Sequence, residues 1–401
     1  MSTEATRVLL FTGKGGVGKT TTAAGTATLA AARGLRVLVL STDPAHSLAD
    51  TFDHPIGAEP TEVDANLFVQ HVDSQRRFER SWREIRDYLL AMLDSAGVDP
   101  IEAEELTVLP GAEEVFALLE VRDQLRSRRW DLVVVDCAPT AETLRLLALP
   151  DALGWYVERI LPLERRVVRS LRPVLTRATG VPMPRDAVFD ALLRLHAELS
   201  GVRRALTDRN ASVRLVLTPE SVVVAEARRS FTTLALFGYR VDAVIANRVF
   251  PTDGRDAWLR GWTAAQATQL EDIDTSFAPL PVYRSAYRAA EPVGLEELAA
   301  LAAAVYGGGS ADTDPFAPPP DGRPLSVEHV GGEFVLSLTL PLADRRDMDV
   351  VRKGDDLVLT IGAYRRVLAL PGALRRCSVI GAELREGRLH VRFGQPAGVA
   401  P

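Results

Sequence analysis

Lysine is nearly missing from this sequence. Of its 47 basic residues only Lys14, Lys19 and Lys353 are lysine, and the rest are arginine. Two of those three stand five residues apart near the N-terminus. Cysteine is scarce as well. Cys137 and Cys377 lie far apart and no CxxC occurs, which excludes a disulfide framework and a cysteine-built zinc site. A reducing cytoplasm is the expected location. The remaining histidines beside His46 lack ligand spacing, so no zinc is expected. With only four methionines, no Met-rich groove for apolar ligands is evident. No apolar run is long enough to span a bilayer, and Met1–Arg7 has no signal-peptide layout. An excess of positive charge is also absent. A net charge of −6 argues against nucleic acid as a partner.

What is present reads as an α/β protein. Hydrophobic residues make up 47% and charged residues 25% of 401 residues, the mix of a globular chain with room for about two domains. Val8–Thr12, Val37–Leu40, Leu132–Val135, Arg214–Leu217 and Ala243–Ala246 are short apolar runs, as in strands buried on both faces. Thr20–Arg33 is Ala-rich and stops at Gly34, a helix-end signal. Strands alternating with helices imply a mostly parallel sheet. Two stretches rich in Leu, Arg and Glu, about 76–128 and 151–209, read as a helical subdomain inserted into it. Residues 307–324 are Gly, Pro and Asp-rich and read as a linker between a unit at 1–306 and a second at 325–395. In the second unit Phe334, Leu336, Leu338 and Leu340 alternate with smaller or polar residues, as do Leu389, Val391 and Phe393. That period of two predicts a small all-β sandwich.

The chemistry concentrates in Gly13-Lys14-Gly15-Gly16-Val17-Gly18-Lys19-Thr20, which fits G-x-x-x-x-G-K-[ST] between a buried strand and a helix. Glycines let backbone N–H groups turn toward phosphate oxygens, and the helix adds its positive end. Lys19 is placed to reach the β- and γ-phosphates, with Thr20 Oγ on Mg2+. Asp43 follows the second strand and faces the ligand crevice, where it orients or deprotonates a water, or else caps the helix that Asp43-Pro44 can start. Asp136 closes the third strand as a carboxylate for Mg2+, with a capping role as the alternative. Cys137 beside it reads as a small buried residue.

These motifs, with Thr21 after the loop and Asp43-Pro44-Ala45-His46-Ser47, resemble the arsenite-pump and tail-anchored-protein-targeting ATPases, the ArsA/Get type. Pro110-Gly111 with Glu113 and Glu114, Ala138-Pro139-Thr140 with Thr143–Leu147, and Thr218-Pro219-Glu220 with Glu226 and Arg228 extend the likeness over residues 7–306. The loop itself looks like the deviant Walker A motif. The resemblance implies ATP and Mg2+ as cofactors and Asp43 as the water-activating carboxylate. It implies Asn247 and Pro281 at the adenine, and a homodimer in which Lys14 crosses to the partner's nucleotide. A hydrophobic or membrane-protein client and a membrane receptor are the further partners it implies. Ala141-Glu142 stands where the family usually has Gly-His, and the zinc clamp and arsenite-binding cysteines of many members are missing.

Residues 325–395 resemble the α-crystallin domain of small heat-shock proteins, without that family's I-x-I tail; a generic β-sandwich is the alternative. The expected function is a Mg2+-dependent dimeric ATPase coupled to protein client handling. An arsenite-pump subunit and an ATP-switched positioning or scaffold protein are the alternatives.

Overall fold

The computed structural model describes residues 6–42, 47–72, 112–138, 186–252, 256–307, 314–320 and 324–394, with a few positions between 86 and 99. An eight-stranded sheet dominates, in the order β3-β4-β2-β5-β1-β6-β7-β8. Its centre is made of β1 (Arg7–Thr12), β2 (Val37–Ser41), β5 (Leu132–Asp136) and β6 (Ala211–Leu217), in which every residue is buried. Only strands covered on both faces tolerate such apolar runs, and these pair in parallel as that pattern requires. β7 (Val241–Val249) continues the sheet.

The other three strands lie toward the edges, and their composition is less distinctive. β3 (Thr61–Asp64) pairs antiparallel with β4 (Leu67–His71), and β8 (Val282–Ala286) is a partly exposed edge strand. Edge strands carry polar residues because one side meets water. That is why VYRSA and TEVD do not read as strands from the sequence.

Helices cover the sheet. α1 (Lys19–Ala32) and α2 (Ser47–Phe52) flank the first crossover. α3 (Ala112–Ser127) and α4 (Asp186–Leu206) fall within the two inserts. α5 (Ser221–Leu236), α6 (Ala257–Phe277) and α7 (Leu295–Gly307) complete the layer.

β9 (Leu325–Val330), β10 (Glu333–Thr339), β14 (Ser378–Arg385) and β15 (Arg388–Gly394) form one antiparallel sheet, in the order β14-β15-β10-β9. β11 (Met348–Lys353), β12 (Asp356–Ile361) and β13 (Tyr364–Ala369) form another, followed by the short α8 (Gly372–Arg375). The alternating residues Leu336, Leu338, Leu389, Val391 and Phe393 are buried between them. Thr232 Oγ1 of α5 donates to Pro341 O at 2.7 Å, and Arg366 of β13 donates to Leu236 O at the end of α5. The small sheets are therefore docked on the large unit.

The described part of the connector, 314–320, is held in place too. Arg7 Nε donates to Phe316 O at 3.1 Å, Arg214 donates to Pro315 O, and Phe316 is buried. Composition marks this segment as a tether because it lists residue types. It does not show that two buried arginines take up its carbonyls.

Candidate functional site

The phosphate loop occupies the point where strand order reverses. β1 has β5 on one side and β6 on the other, and the loop leaves its C-terminal end. Open parallel sheets bind ligands in that crevice. Gly13 has no alternative here, since a Cβ on it would stand 2.0 Å from Val216 O. Gly18 has φ 90° as the cap of α1, and a Cβ there would stand 2.3 Å from Asn247 Nδ2. Gly15 and Gly16 are exposed, and Val17 is buried as the loop's apolar anchor. Asn247 Nδ2 donates to Val17 O at 2.8 Å, so β7 clamps the loop from below.

Two lysines sit differently on this frame. Lys19 opens α1, is buried, and donates from Nζ to Lys14 O at 3.3 Å. Its ammonium thus spans the loop, where phosphate oxygens would replace one carbonyl. The first turn of α1 holds no acidic residue, which leaves the helix end positive. Lys14 is half-buried at the rim. Thr21 lines the neighbouring cavity.

Behind the loop lies a set of hard oxygen atoms. Thr20 Oγ1 donates to Asp136 Oδ2 at 2.8 Å and lies 3.3 Å from Ser47 Oγ. Ser41 Oγ donates to the same Oδ2 at 3.4 Å. Asp136 is fully buried at the end of β5, and its carbonyl accepts from Thr42 N at 2.9 Å. A hydroxyl beside a carboxylate suits Mg2+. Burial, with Asp136 alongside, pushes the Cys137 thiol well up, so it stays protonated and is no nucleophile.

A cavity of about 330 Å³ continues from the loop and is lined by Gly18, Thr21, Asn247 and residues 285–292. Tyr287 stacks on Phe250 with ring centroids 5.3 Å apart, and Arg288 pairs with Glu297 at 3.0 Å. This cavity adjoins the phosphate loop at Gly18.

Asn247 lines this cavity, but Pro281 does not. β8 runs parallel to β7, and Pro281 O accepts from Val244 N at its N-terminal end, away from the loop. Pro281 lines a separate cavity of about 1400 Å³ with Arg214 and Tyr239. The expectation for Pro281 is corrected: the cavity-lining segment lies after β8, at Ala286–Pro292. Strand polarity was the missing information.

Arg228 also has structural work, pairing with Asp272 and with Ser276 Oγ to fasten α5 to α6. The sequence reading names Ser47 only within Asp43-Pro44-Ala45-His46-Ser47 and does not single out Ser41. Their hydroxyls flanking an acid-ended strand were the available signal. Asp43, with Pro44, Ala45 and His46, lies outside the described residues, as do Pro110, Gly111, Pro139, Thr140 and Thr143–Leu147. The side chains of Glu113 and Glu114 lie outside them as well.

Comparison with known proteins bears on this geometry. The family model for anion-transporting ATPases matches residues 6–307, and that for the HSP20-like domain found in ArsA matches residues 331–393. A Chlorobaculum tepidum relative whose name carries the words arsenical pump-driving ATPase is 36% identical over 393 residues, 96% of each chain. A Streptomyces coelicolor protein whose name states no activity is 40% identical over 388 residues, 96% of this chain and 97% of its own. ATPase ASNA1 homolog 1 of Paramecium tetraurelia is 28% identical, covering 60% of this chain and 74% of its own. The phosphate loop, its clamp and these matches agree: the chain belongs to the ArsA family of anion-transporting ATPases and is an ATP hydrolase with the family's HSP20-like domain.

Proposed function

We propose that the chain works as a Mg2+-dependent homodimer that couples ATP hydrolysis to the handling of hydrophobic protein clients. The observation that carries the site is the pairing of Lys19 across the loop with Thr20 Oγ1 2.8 Å from Asp136 Oδ2. Both features sit at the C-terminal ends of adjacent strands.

Thr20 and Asp136 would hold Mg2+, which supplies charge neutralisation at the β- and γ-phosphates when bound. Lys19 and the backbone of residues 13–18 bind and orient the phosphates. Asp43 orients the attacking water and takes its proton. Asn247 and residues 285–292 seat the nucleoside. Lys14 acts in trans, at the nucleotide of the second protomer. The chain has one such loop, so a second copy must supply the second lysine to each site.

Client handling rests on the union of this ATPase with an HSP20-like domain in one chain. In this proposal closing and opening of the dimer pass to the helical inserts, which present the client and meet a membrane receptor. Among the described residues no helix is long and apolar enough to cross a membrane itself. The catalytic part is tested by comparing ATP turnover of the wild type and Asp43→Asn. Loss of turnover by about 100-fold is expected. Equal turnover removes Asp43 from the site.

A second reading, an anion-pump subunit, is favoured by the arsenical-pump names of the relatives. Both cysteines are buried and remote from each other in sequence, which leaves arsenite no thiol cluster. Stimulation of turnover by arsenite without any client would support that reading over client handling.

A further inference from the structure

α3 and α4 carry a concentration of charge that the nucleotide site does not use. Ala197, Gly201 and Ala205 are spaced four apart on α4 and share one face of it. A Cβ on Gly201 would stand 3.3 Å from Arg122 Cδ, so the arginine stem of α3 lies against this small-residue face. The two helices leave a trough of about 510 Å³ there. Its walls carry Arg122, Arg126, Arg128 and Arg204, and no carboxylate is among the described residues that line it.

Arg122 is already engaged, with Asp123 at 2.8 Å and Glu198 at 3.9 Å. Arg126, Arg128 and Arg204 are exposed, and none forms an ion pair among the described residues. Arginine in the last turn of a helix complements the helix dipole, which accounts for Arg126 and Arg204 one at a time. It does not account for four arginines lining one concavity in a chain of net charge −6. Like charges lining one recess repel unless an anion joins them. Guanidinium forks match phosphate oxygens in pairs, and an open trough between two helices admits a compact anion that a flat bilayer cannot follow into it.

We propose that the trough between α3 and α4 is a second anion site that takes a compact, multiply charged phosphate compound of the pyrophosphate class. It is separate from the phosphate loop. α3 and α4 end just before β5 and β6 begin, so the trough lies toward the N-terminal ends of the strands. The loop leaves the C-terminal end of β1, parallel to both. The inference does not depend on the dimer or on a client.

The test is isothermal titration of inorganic pyrophosphate into the full chain saturated with ADP, which fills the loop. A saturable site is expected, weakened by salt and by Arg126→Gln with Arg204→Gln together, by about tenfold or more. Both residues are exposed, and unchanged ATP turnover of the double variant serves as the folding control. Lys19→Ala should retain the site. Absence of saturable binding, equal binding by the double variant, or loss in Lys19→Ala would each overturn the proposal. A parallel arm uses phosphatidylglycerol vesicles. Sedimentation with vesicles through the same arginines, without pyrophosphate binding, would also overturn it and identify a membrane contact instead.

Discussion

Gly13, Gly18 and Asn247 form one close-packed unit. Val216 O occupies the space a methyl group would need on Gly13, and backbone atoms cannot swing away as a side chain can. Gly13→Ala should therefore cost about 2–3 kcal/mol of stability and abolish turnover. A thermal or denaturant melt alongside an ATPase assay checks both. Asn247→Ala removes the clamp on Val17 O and opens space beside Gly18. It should cost about 1–2 kcal/mol of stability and raise KM for ATP, which denaturant melts and steady-state kinetics read separately. The loop was legible in the sequence through its glycine spacing, while the resemblance singles out Asn247 only as an adenine contact. The clamp was not legible, because it joins residues 230 positions apart. Only the packing of β7 under the loop brings them together.

Among the elements, α1 is tied to more than the nucleotide. Thr26 Oγ1 donates to Thr22 O at 2.6 Å, so Tyr306 OH of α7 donates to Thr26 Oγ1 at 2.7 Å. Tyr306 in turn accepts from Arg214 Nη1 at 2.8 Å, and Arg214 also holds Pro315 O in the connector. Asp242 lies 3.4 Å from Arg214 Nε and 2.9 Å from Arg7 Nη2, so one carboxylate is shared by two buried arginines. A hydrogen-bonded chain thus runs from the phosphate-loop helix to the connector. Arg214→Met should cost about 3–5 kcal/mol, since it leaves buried partners unmatched. Tyr306→Phe should cost about 1 kcal/mol. Denaturant melts of the two variants test this ordering, and equal losses would contradict it. None of these links was visible in the sequence. Arg214 falls within an otherwise apolar run, and its partners Asp242, Tyr306 and Pro315 come from three distant segments. The central strands were legible because burial on both faces demands unbroken apolar runs. β8 was not, and without its direction Pro281 was assigned to the wrong end of the sheet.

For the whole molecule, the scarcity of lysine is the most informative fact. Lys19 and Lys14 are in the phosphate loop, while Lys353 closes β11 in the second unit. Arginine's wide fork does not fit where an ammonium reaches phosphates in a tight loop. Lys14→Arg keeps the charge and should still lower turnover by about 100-fold or more. The central claim, that Lys14 serves the other protomer, is tested most directly by mixing two variants that are each inactive alone. In a Lys14→Arg protomer paired with an Asp43→Asn protomer, the first protomer's site keeps its own Asp43 and receives an intact Lys14 from its partner. An equal mixture should regain about a quarter of wild-type turnover, because half of randomly paired dimers are mixed and each has one complete site. No recovery from the mixture, or full turnover by Lys14→Arg alone, would contradict the account.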